Sequence, residues 1–137
     1  MSGILIVDDN ANIRRLLRSF VETNTGFEVC GEAENGPEGI EKAKELQPEL
    51  ILLDMTMPGM HGTEAAPILK QLLPQVKIIL FTLHTDGVNQ ALASTFDIDV
   101  VISKTEAITT LREHLIALLT PVDSPTRATD TKNKKVN

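Results

Sequence analysis

Residues 50–54 read LILLD, four consecutive large apolar side chains that end at the carboxylate of Asp54. Three further apolar runs end in a polar side chain: residues 4–9 read ILIVDD, residues 77–82 read KIILFT, and residues 99–104 read DVVISK. Nearly continuous apolar runs are typical of parallel strands that helices cover on both faces. Because ligands bind outside the carboxyl ends of the strands in such sheets, the four run ends are predicted to share one crevice.

Strand-like and helix-like segments alternate along the chain, which predicts an α/β fold with a doubly wound, five-stranded parallel sheet and five helices. Residues 27–33 alternate apolar and polar side chains, as a half-exposed edge strand does. Strand order does not follow from one sequence. The flavodoxin-like order 2-1-3-4-5 would place the first and third strands side by side, so that Asp8, Asp9 and Asp54 converge at its switch point.

Helical periodicity marks the apolar side chains that are expected to face the sheet. In the first helix they are spaced i, i+3, i+4 and i+7, and related spacings recur in the other four. The positions expected in the core are Ile13, Leu16, Leu17 and Phe20, then Ile40, Ala43 and Leu46, then Ile68, Leu69 and Leu72, then Val88, Ala91 and Leu92, and finally Ile108, Leu111, Leu115, Leu118 and Leu119.

Composition limits the class of protein. The chain has 137 residues and a net charge of −6, which argues against direct nucleic-acid binding through residues 1–120. No apolar run approaches the roughly 20 residues that span a bilayer, so no membrane association is expected. The single cysteine, Cys30, excludes an internal disulfide and fits a reducing compartment. These features predict a cytoplasmic protein.

The last 17 residues differ from the rest of the chain. Residues 121–137 read PVDSPTRATDTKNKKVN, with four basic and two acidic side chains, two prolines and no apolar periodicity. We therefore expect residues 1–120 to form one domain and residues 121–137 to be a disordered polar tail or the start of a linker. The alternative is a basic arm that contacts an acidic partner or nucleic acid.

Three acids follow apolar strands directly, at Asp8, Asp9 and Asp54. Aspartate often caps the next helix, but capping would explain one of Asp8, Asp9 or Asn10 and hardly all three acids. Two carboxylates about 4 Å apart repel by roughly 4 kcal/mol at an effective dielectric constant of 20, so the cluster requires a cation. An oxygen-only ligand set favours a hard ion, and Mg²⁺ is the best candidate.

The same crevice suits a phosphoryl group. An aspartate such as Asp54 can attack phosphorus and form an aspartyl phosphate. Lys104 would supply a positive charge and the Thr82 hydroxyl a hydrogen bond to a phosphoryl oxygen. Thr82 and Lys104 are weak signals separately, and their joint placement gives them value.

In this order and at these spacings, the residues closely resemble the receiver domain of two-component response regulators. The resemblance covers residues 3–119, and its motifs are Val7-Asp8-Asp9, Asp54-x-x-Met57-Pro58-x-x-x-Gly62, Thr82 and Lys104. It implies that Asp54 is the phosphoacceptor and that Asp9 and Asp54 bind Mg²⁺ directly.

The resemblance implies roles for the other residues too. Asp8 would act through a water molecule, the Thr56 backbone carbonyl would be a further metal ligand, Thr82 would be the switch hydroxyl, and Lys104 would pair with the phosphoryl group. The implied donor is a sensor histidine kinase or a phosphotransfer protein. The implied readers are an output domain, a target protein or a second copy in a homodimer. Such a domain is a phosphoacceptor with self-limited chemistry and not an enzyme.

Two other functional classes stay open from the sequence. An aspartate-nucleophile phosphatase is one, although such enzymes resemble Asp-x-Asp after the first strand and this chain has Asp8-Asp9. A phosphorylation-independent interaction domain is the other, and the intact acid set argues against it. The sequence leaves open whether the chain stands alone or belongs to a longer regulator, for instance one with a DNA-binding output domain.

Three positions depart from the usual receiver pattern. Val101 replaces the aromatic residue that usually precedes the lysine by three positions, so aromatic rotation cannot report the switch. Thr105 replaces the proline that often follows the lysine. Leu83 replaces a small residue after Thr82, and our hypothesis is that it slows both phosphorylation by small donors and hydrolysis.

Overall fold

The structure is a computed structural model that describes residues 3–82, 89–104 and 108–120. Strands and helices alternate through these residues. The strands are β1 (Gly3–Val7), β2 (Glu28–Ala33), β3 (Leu50–Asp54), β4 (Lys77–Thr82) and β5 (Val100–Ser103). The helices are α1 (Ala11–Asn24), α2 (Gly36–Leu46), α3 (Gly62–Leu72), α4 (Asn89–Phe96) and α5 (Ile108–Leu119). Leu83, Val88, Thr105 and the tail at 121–137 lie outside the described residues.

The five strands form one parallel sheet in the order β2-β1-β3-β4-β5. This confirms the fold class that the alternation of segments predicted, and the strand order is the flavodoxin-like 2-1-3-4-5 that brings the three acids together. Val7 pairs with Leu53 in register, and Asp54 pairs with Phe81. The acids after β1 and at the end of β3 therefore occupy the same edge of the sheet, where the strand order reverses.

Each face of the sheet carries its own core. On one face, strand side chains such as Leu5, Ile51 and Ile78 pack with Ala65 and Leu69 of α3. On the other face, strand side chains including Ile4 and Leu52 pack with α1 and α5 residues, which are Leu17, Val21, Leu111 and Leu115. Full burial of one Leu, Ile or Val contributes roughly 1.5–3 kcal/mol. The uninterrupted apolar runs are thus explained by a sheet with two covered faces.

Several helix side chains that were expected in the core are exposed instead. Leu16 is 56% exposed, and the exposed set also includes Leu46, Ile68, Leu72 and Ile108. Periodicity marks a stripe wider than the line along which a helix touches a sheet, so residues at its margin stay in solvent. The side chain of Leu92 falls outside what the structure describes. None of the described helices is both long enough and apolar enough to cross a bilayer.

Candidate functional site

The polar ends of β1, β3, β4 and β5 meet at one edge of the sheet. Asp8 and Asp54 are each 2% exposed and Thr82 is 1% exposed, whereas Asp9 is exposed at the mouth of the crevice. Lys104 follows β5, and its backbone N–H donates a 2.7 Å hydrogen bond to the Thr82 carbonyl. The strand ends therefore gather these five residues in one place, as the sequence predicted.

The three carboxylates form a cluster that can hold a metal ion. Asp8, Asp9 and Asp54 each offer one oxygen, and these oxygens lie within 4.8 Å of one another. The competing role as helix caps is wrong for the two acids after β1, because Asn10 is the N-cap of α1. Its side-chain oxygen accepts from the N–H groups of Asn12 and Ile13. Oxygen ligands with no histidine or cysteine among them suit a hard cation such as Mg²⁺.

The Asp54 carboxylate has one satisfied and one unsatisfied oxygen. Its Oδ1 lies 2.9 Å from Lys104 Nζ and accepts a 3.3 Å hydrogen bond from the backbone N–H of Thr56. Its Oδ2 is buried and has no hydrogen-bond partner in the described part of the chain. A buried oxygen without a partner carries a desolvation cost, which a cation or a covalent phosphoryl group would relieve. The donor set and this orphaned oxygen together fit a metal-assisted phosphoacceptor.

Burial sets the electrostatics of the two inner acids. Burial raises the pKa of Asp54 to about 6, with the Asp8 charge adding to the effect and the hydrogen bond from Lys104 opposing it. Burial also raises the pKa of Asp8, against the hydrogen bond from the Asn10 backbone. Both carboxylates are thus poorly solvated anions that a divalent cation would stabilise.

Lys104 is the fixed positive charge of the site. Its Nζ lies 2.9 Å from Asp54 Oδ1 and 3.7 Å from Asp8 Oδ2. Burial pulls the pKa of Lys104 down, but the hydrogen bond to Asp54 and the neighbouring carboxylates outweigh burial and raise this pKa. The side chain therefore stays protonated and can pair with an anionic group attached to Asp54.

The helix α3 begins directly against Asp54. Gly62 donates a 2.8 Å hydrogen bond to the Met55 carbonyl, and a Cβ atom at Gly62 would lie 2.5 Å from the Asp54 carbonyl oxygen. Only glycine permits this approach, which gives a physical reason for the glycine eight residues after Asp54.

Thr56, Thr82 and Val101 lie where the sequence placed them, and their roles stay predictions. Thr56 is exposed beside Asp54, while Thr82 is buried at the end of β4. Val101 is half-buried against the core on the α3 face. Leu83 and Thr105, on which the other departures from the receiver pattern depend, lie outside the described residues.

Two polar residues near the site were missed in the sequence. Ser103, 4% exposed, pairs in register with Thr82 at the strand ends. Arg14 Nη1 donates a 2.6 Å hydrogen bond to the Asp8 carbonyl. A serine inside an apolar run was a usable signal for Ser103. The position of Arg14 one turn into α1 offered none, because arginine on the polar side of a helix is ordinary.

Comparison with known proteins identifies this arrangement. The family described as response regulator receiver domain matches residues 4–116. The chemotaxis protein CheY of Thermotoga maritima is 46% identical over 77 residues, which cover 56% of this chain and 63% of CheY. The response regulator protein VraR of Staphylococcus saprophyticus is 34% identical over 110 residues, which cover 80% of this chain and 53% of VraR. The chain thus spans less than two thirds of the length of either relative.

A solved structure agrees with the sequence relatives. The response regulator protein TrrA of Thermotoga maritima, crystallised in complex with Mg²⁺-BeF, is 34% identical and superposes with a TM-score of 0.77. The superposition covers 87% of this chain and all of TrrA. These comparisons support the interpretation of the chain as a receiver domain. They support neither an aspartate-nucleophile phosphatase nor a phosphorylation-independent interaction domain. The chain belongs to the response regulator receiver domain family and is a CheY-like component of two-component signalling.

Proposed function

We propose that Asp54 accepts a phosphoryl group from a phosphohistidine of a sensor histidine kinase or a phosphotransfer protein. A carboxylate oxygen of Asp54 attacks the phosphorus, the P–N bond to the donor imidazole breaks, and an acyl phosphate forms. The observation that carries this proposal is the buried, unpartnered Oδ2 of Asp54 within the three-acid cluster, with Lys104 Nζ 2.9 Å from the other oxygen.

The metal would be Mg²⁺, held by Asp9, Asp54 and the Thr56 backbone carbonyl, with Asp8 acting through a water molecule. A bound divalent cation would neutralise charge on the phosphoryl oxygens. The donor set of this chain supports this choice, and so does its similarity to TrrA, which was crystallised with Mg²⁺-BeF.

Lys104 and Thr82 would then detect the modification. Lys104 already bonds the Asp54 carboxylate, so a phosphoryl group there offers it a stronger anionic partner. Thr82 lies at the end of the neighbouring strand, where its hydroxyl would hydrogen-bond a phosphoryl oxygen. Contacts that exist only with the phosphoryl group present shift the equilibrium between two conformations. The product stays on the protein, so the domain is a switch and not a turnover enzyme.

An output domain, a target protein or a second copy of the chain would bind the conformation that phosphorylation favours. We place the exchange in the cytoplasm, because the free thiol of Cys30 fits a reducing compartment. Membership of the receiver family supports the histidine-kinase donor, and the VraR relatives, of which this chain spans about half, support a longer regulator as one arrangement.

The test is incorporation of ³²P from labelled acetyl phosphate into the full chain. We expect Mg²⁺-dependent labelling that EDTA abolishes and that hydroxylamine removes, since hydroxylamine cleaves acyl phosphates. Asp54→Asn should not be labelled. Asp97→Asn is the matched control, because Asp97 is an exposed aspartate that precedes β5, whereas the site lies at the other end of that strand. Labelling of Asp54→Asn at the wild-type level would refute the assignment.

A further inference from the structure

Two arginines and one glutamate form a network between α1 and β2, behind the acidic site. Arg14 Nε lies 3.1 Å from Oε1 of Glu32, and Arg18 Nε lies 2.6 Å from Oε2 of the same carboxylate. The hydrogen bond and positive charge of Arg18 lower the pKa of Glu32, and so do those of Arg14. Together they outweigh burial, which acts to raise this pKa. Glu32 is therefore an anion at neutral pH, and it fixes both guanidinium groups.

A second nitrogen of the Arg14 guanidinium connects this network to the loop that carries Asp8 and Asp9. Arg14 Nη1 donates a 2.6 Å hydrogen bond to the backbone carbonyl of Asp8, and the Asp8 N–H donates to the Ala33 carbonyl at 3.0 Å. The peptide groups on both sides of Asp8 are therefore anchored to β2, one directly and one through Arg14 and Glu32. Because a peptide is planar, anchoring the Asp8 carbonyl also orients the N–H with which Asp9 begins.

We propose that Arg14 is a positioning residue for the cation site: held by Glu32, it fixes the Asp8–Asp9 peptide and so sets where the Asp9 carboxylate stands relative to Asp54. This inference rests on the proposed function of the acidic cluster. The loop needs such a restraint, since the three clustered carboxylates repel one another and Asp9 is exposed. Partners that orient metal ligands typically account for 10–100-fold in metal affinity.

A purely electrostatic role of Arg14 predicts the opposite result. Its positive charge lies close to the acids and repels a cation, so a neutral residue there would strengthen metal binding. Lysine keeps the charge but cannot bond Glu32 and the Asp8 carbonyl at once, because it lacks the planar fork. Arg14→Lys therefore separates the two roles.

Cation size gives a second criterion. Mg²⁺ demands nearly ideal octahedral geometry, whereas Ca²⁺ accepts irregular ligand arrangements at longer distances. A loop that has lost its restraint should lose Mg²⁺ affinity more than Ca²⁺ affinity. A change that only destabilises the fold would leave the ratio of the two affinities in the folded protein unchanged.

The experiment is isothermal titration calorimetry of the full chain with Mg²⁺ and, separately, with Ca²⁺. We expect Arg14→Lys and Arg14→Met each to weaken Mg²⁺ binding by about tenfold, with a clearly smaller loss for Ca²⁺. Glu32→Gln should give a smaller loss in the same direction. The matched control is Arg15→Lys, because Arg15 is an exposed neighbour in α1 that bonds only Asn12 among the described contacts.

The outcomes separate this inference from the proposed function. Wild-type chain that binds no Mg²⁺ would refute the metal site itself. Wild-type binding with unchanged affinity in Arg14→Lys, tighter binding in Arg14→Met, or equal losses for the two ions would overturn the positioning role alone. Circular dichroism establishes that each variant is folded, and if Arg14→Met does not fold, Arg14→Lys and Glu32→Gln decide the question.

Discussion

Asp54 carries its negative charge where the protein solvates it poorly. Burial and the Asp8 charge raise its pKa to about 6, although the hydrogen bond from Lys104 acts in the other direction. An aspartate in an unfolded chain titrates near 3.9. The folded state therefore holds this proton more tightly, so the stability that the protonated group confers is complete below about pH 4 and is lost as the pH rises through about 6. Two pKa units correspond to about 3 kcal/mol.

Removal of this ionisable group should stabilise the metal-free protein. In EDTA at pH 7.5, we expect Asp54→Asn to increase the free energy of unfolding by roughly 1–2 kcal/mol, less than the full amount because Lys104 loses a charged partner. At pH 4 the difference should nearly vanish. Urea unfolding followed by circular dichroism measures both values, since the chain has no tryptophan or tyrosine for fluorescence. A variant that is less stable at pH 7.5, or one with the same difference at both pH values, would contradict this account.

At the scale of elements, Asp99 joins three of them. Its Oδ2 accepts a 2.8 Å hydrogen bond from the Ile78 N–H in β4 and lies 2.9 Å from Lys70 Nζ in α3. Its own N–H donates to the Ile78 carbonyl at 3.0 Å, so the residue before β5 pairs with β4 through side chain and backbone together. These contacts supply a physical reason for an aspartate at the residue before β5.

Loss of the Asp99 carboxylate should therefore destabilise the fold. We expect Asp99→Ala to lower the free energy of unfolding by about 1–3 kcal/mol, because the part-buried Ile78 N–H and the Lys70 ammonium lose their acceptor. Lys70→Met should cost less than 1 kcal/mol, since it leaves the backbone contact intact. The exposed ion pair between Glu41 and Lys44 is the control. Because exposed ion pairs contribute little, Glu41→Ala should change the free energy of unfolding by less than about 0.5 kcal/mol. Urea unfolding that shows equal losses for Asp99→Ala and Glu41→Ala would exclude the joining role.

Sequence patterns predicted some elements well for a definite physical reason. The runs that became β1, β3 and β4 are apolar on both faces, and that property is local in the sequence. The margins of helical stripes, such as Leu16 and Ile108, were predicted wrongly because exposure depends on how each helix lies on the sheet. The contact from Asp99 to Ile78 depends on strand register across 21 residues, which no local pattern encodes.

The residues of the candidate site also differ in how far the sequence predicted them. Asp8, Asp9, Asp54, Thr82 and Lys104 were predictable because parallel strands bring their ends together whatever the details of packing. Arg14 was not, since its role depends on a hydrogen bond to a backbone carbonyl and on Glu32 in a different element. The candidate chemical residues follow from topology here, whereas the proposed positioning residue follows from a three-dimensional contact.

At the scale of the whole molecule, a cation held at the proposed acidic site would couple metal binding to folding. The unfolded chain does not bring Asp8, Asp9 and Asp54 together, so a cation that binds them stabilises the folded state alone. At a Mg²⁺ concentration one hundred times the dissociation constant, the gain is about 3 kcal/mol, which corresponds to a rise in Tm of roughly 10 °C for a domain of this size.

Asp9→Asn tests whether this gain belongs to the site. Asp9 is exposed and its charge is repelled by the neighbouring acids, so its substitution should not lower the metal-free Tm, while the Mg²⁺-induced rise falls to less than about 2 °C. The net charge of −6 means that any salt also relieves repulsion, so thermal unfolding by circular dichroism must compare MgCl₂ with NaCl at equal ionic strength. If Mg²⁺ raised the Tm of Asp9→Asn as much as that of the wild type, the effect would be general charge screening. The reason is that the substitution removes a proposed metal ligand but alters the total charge by only one unit.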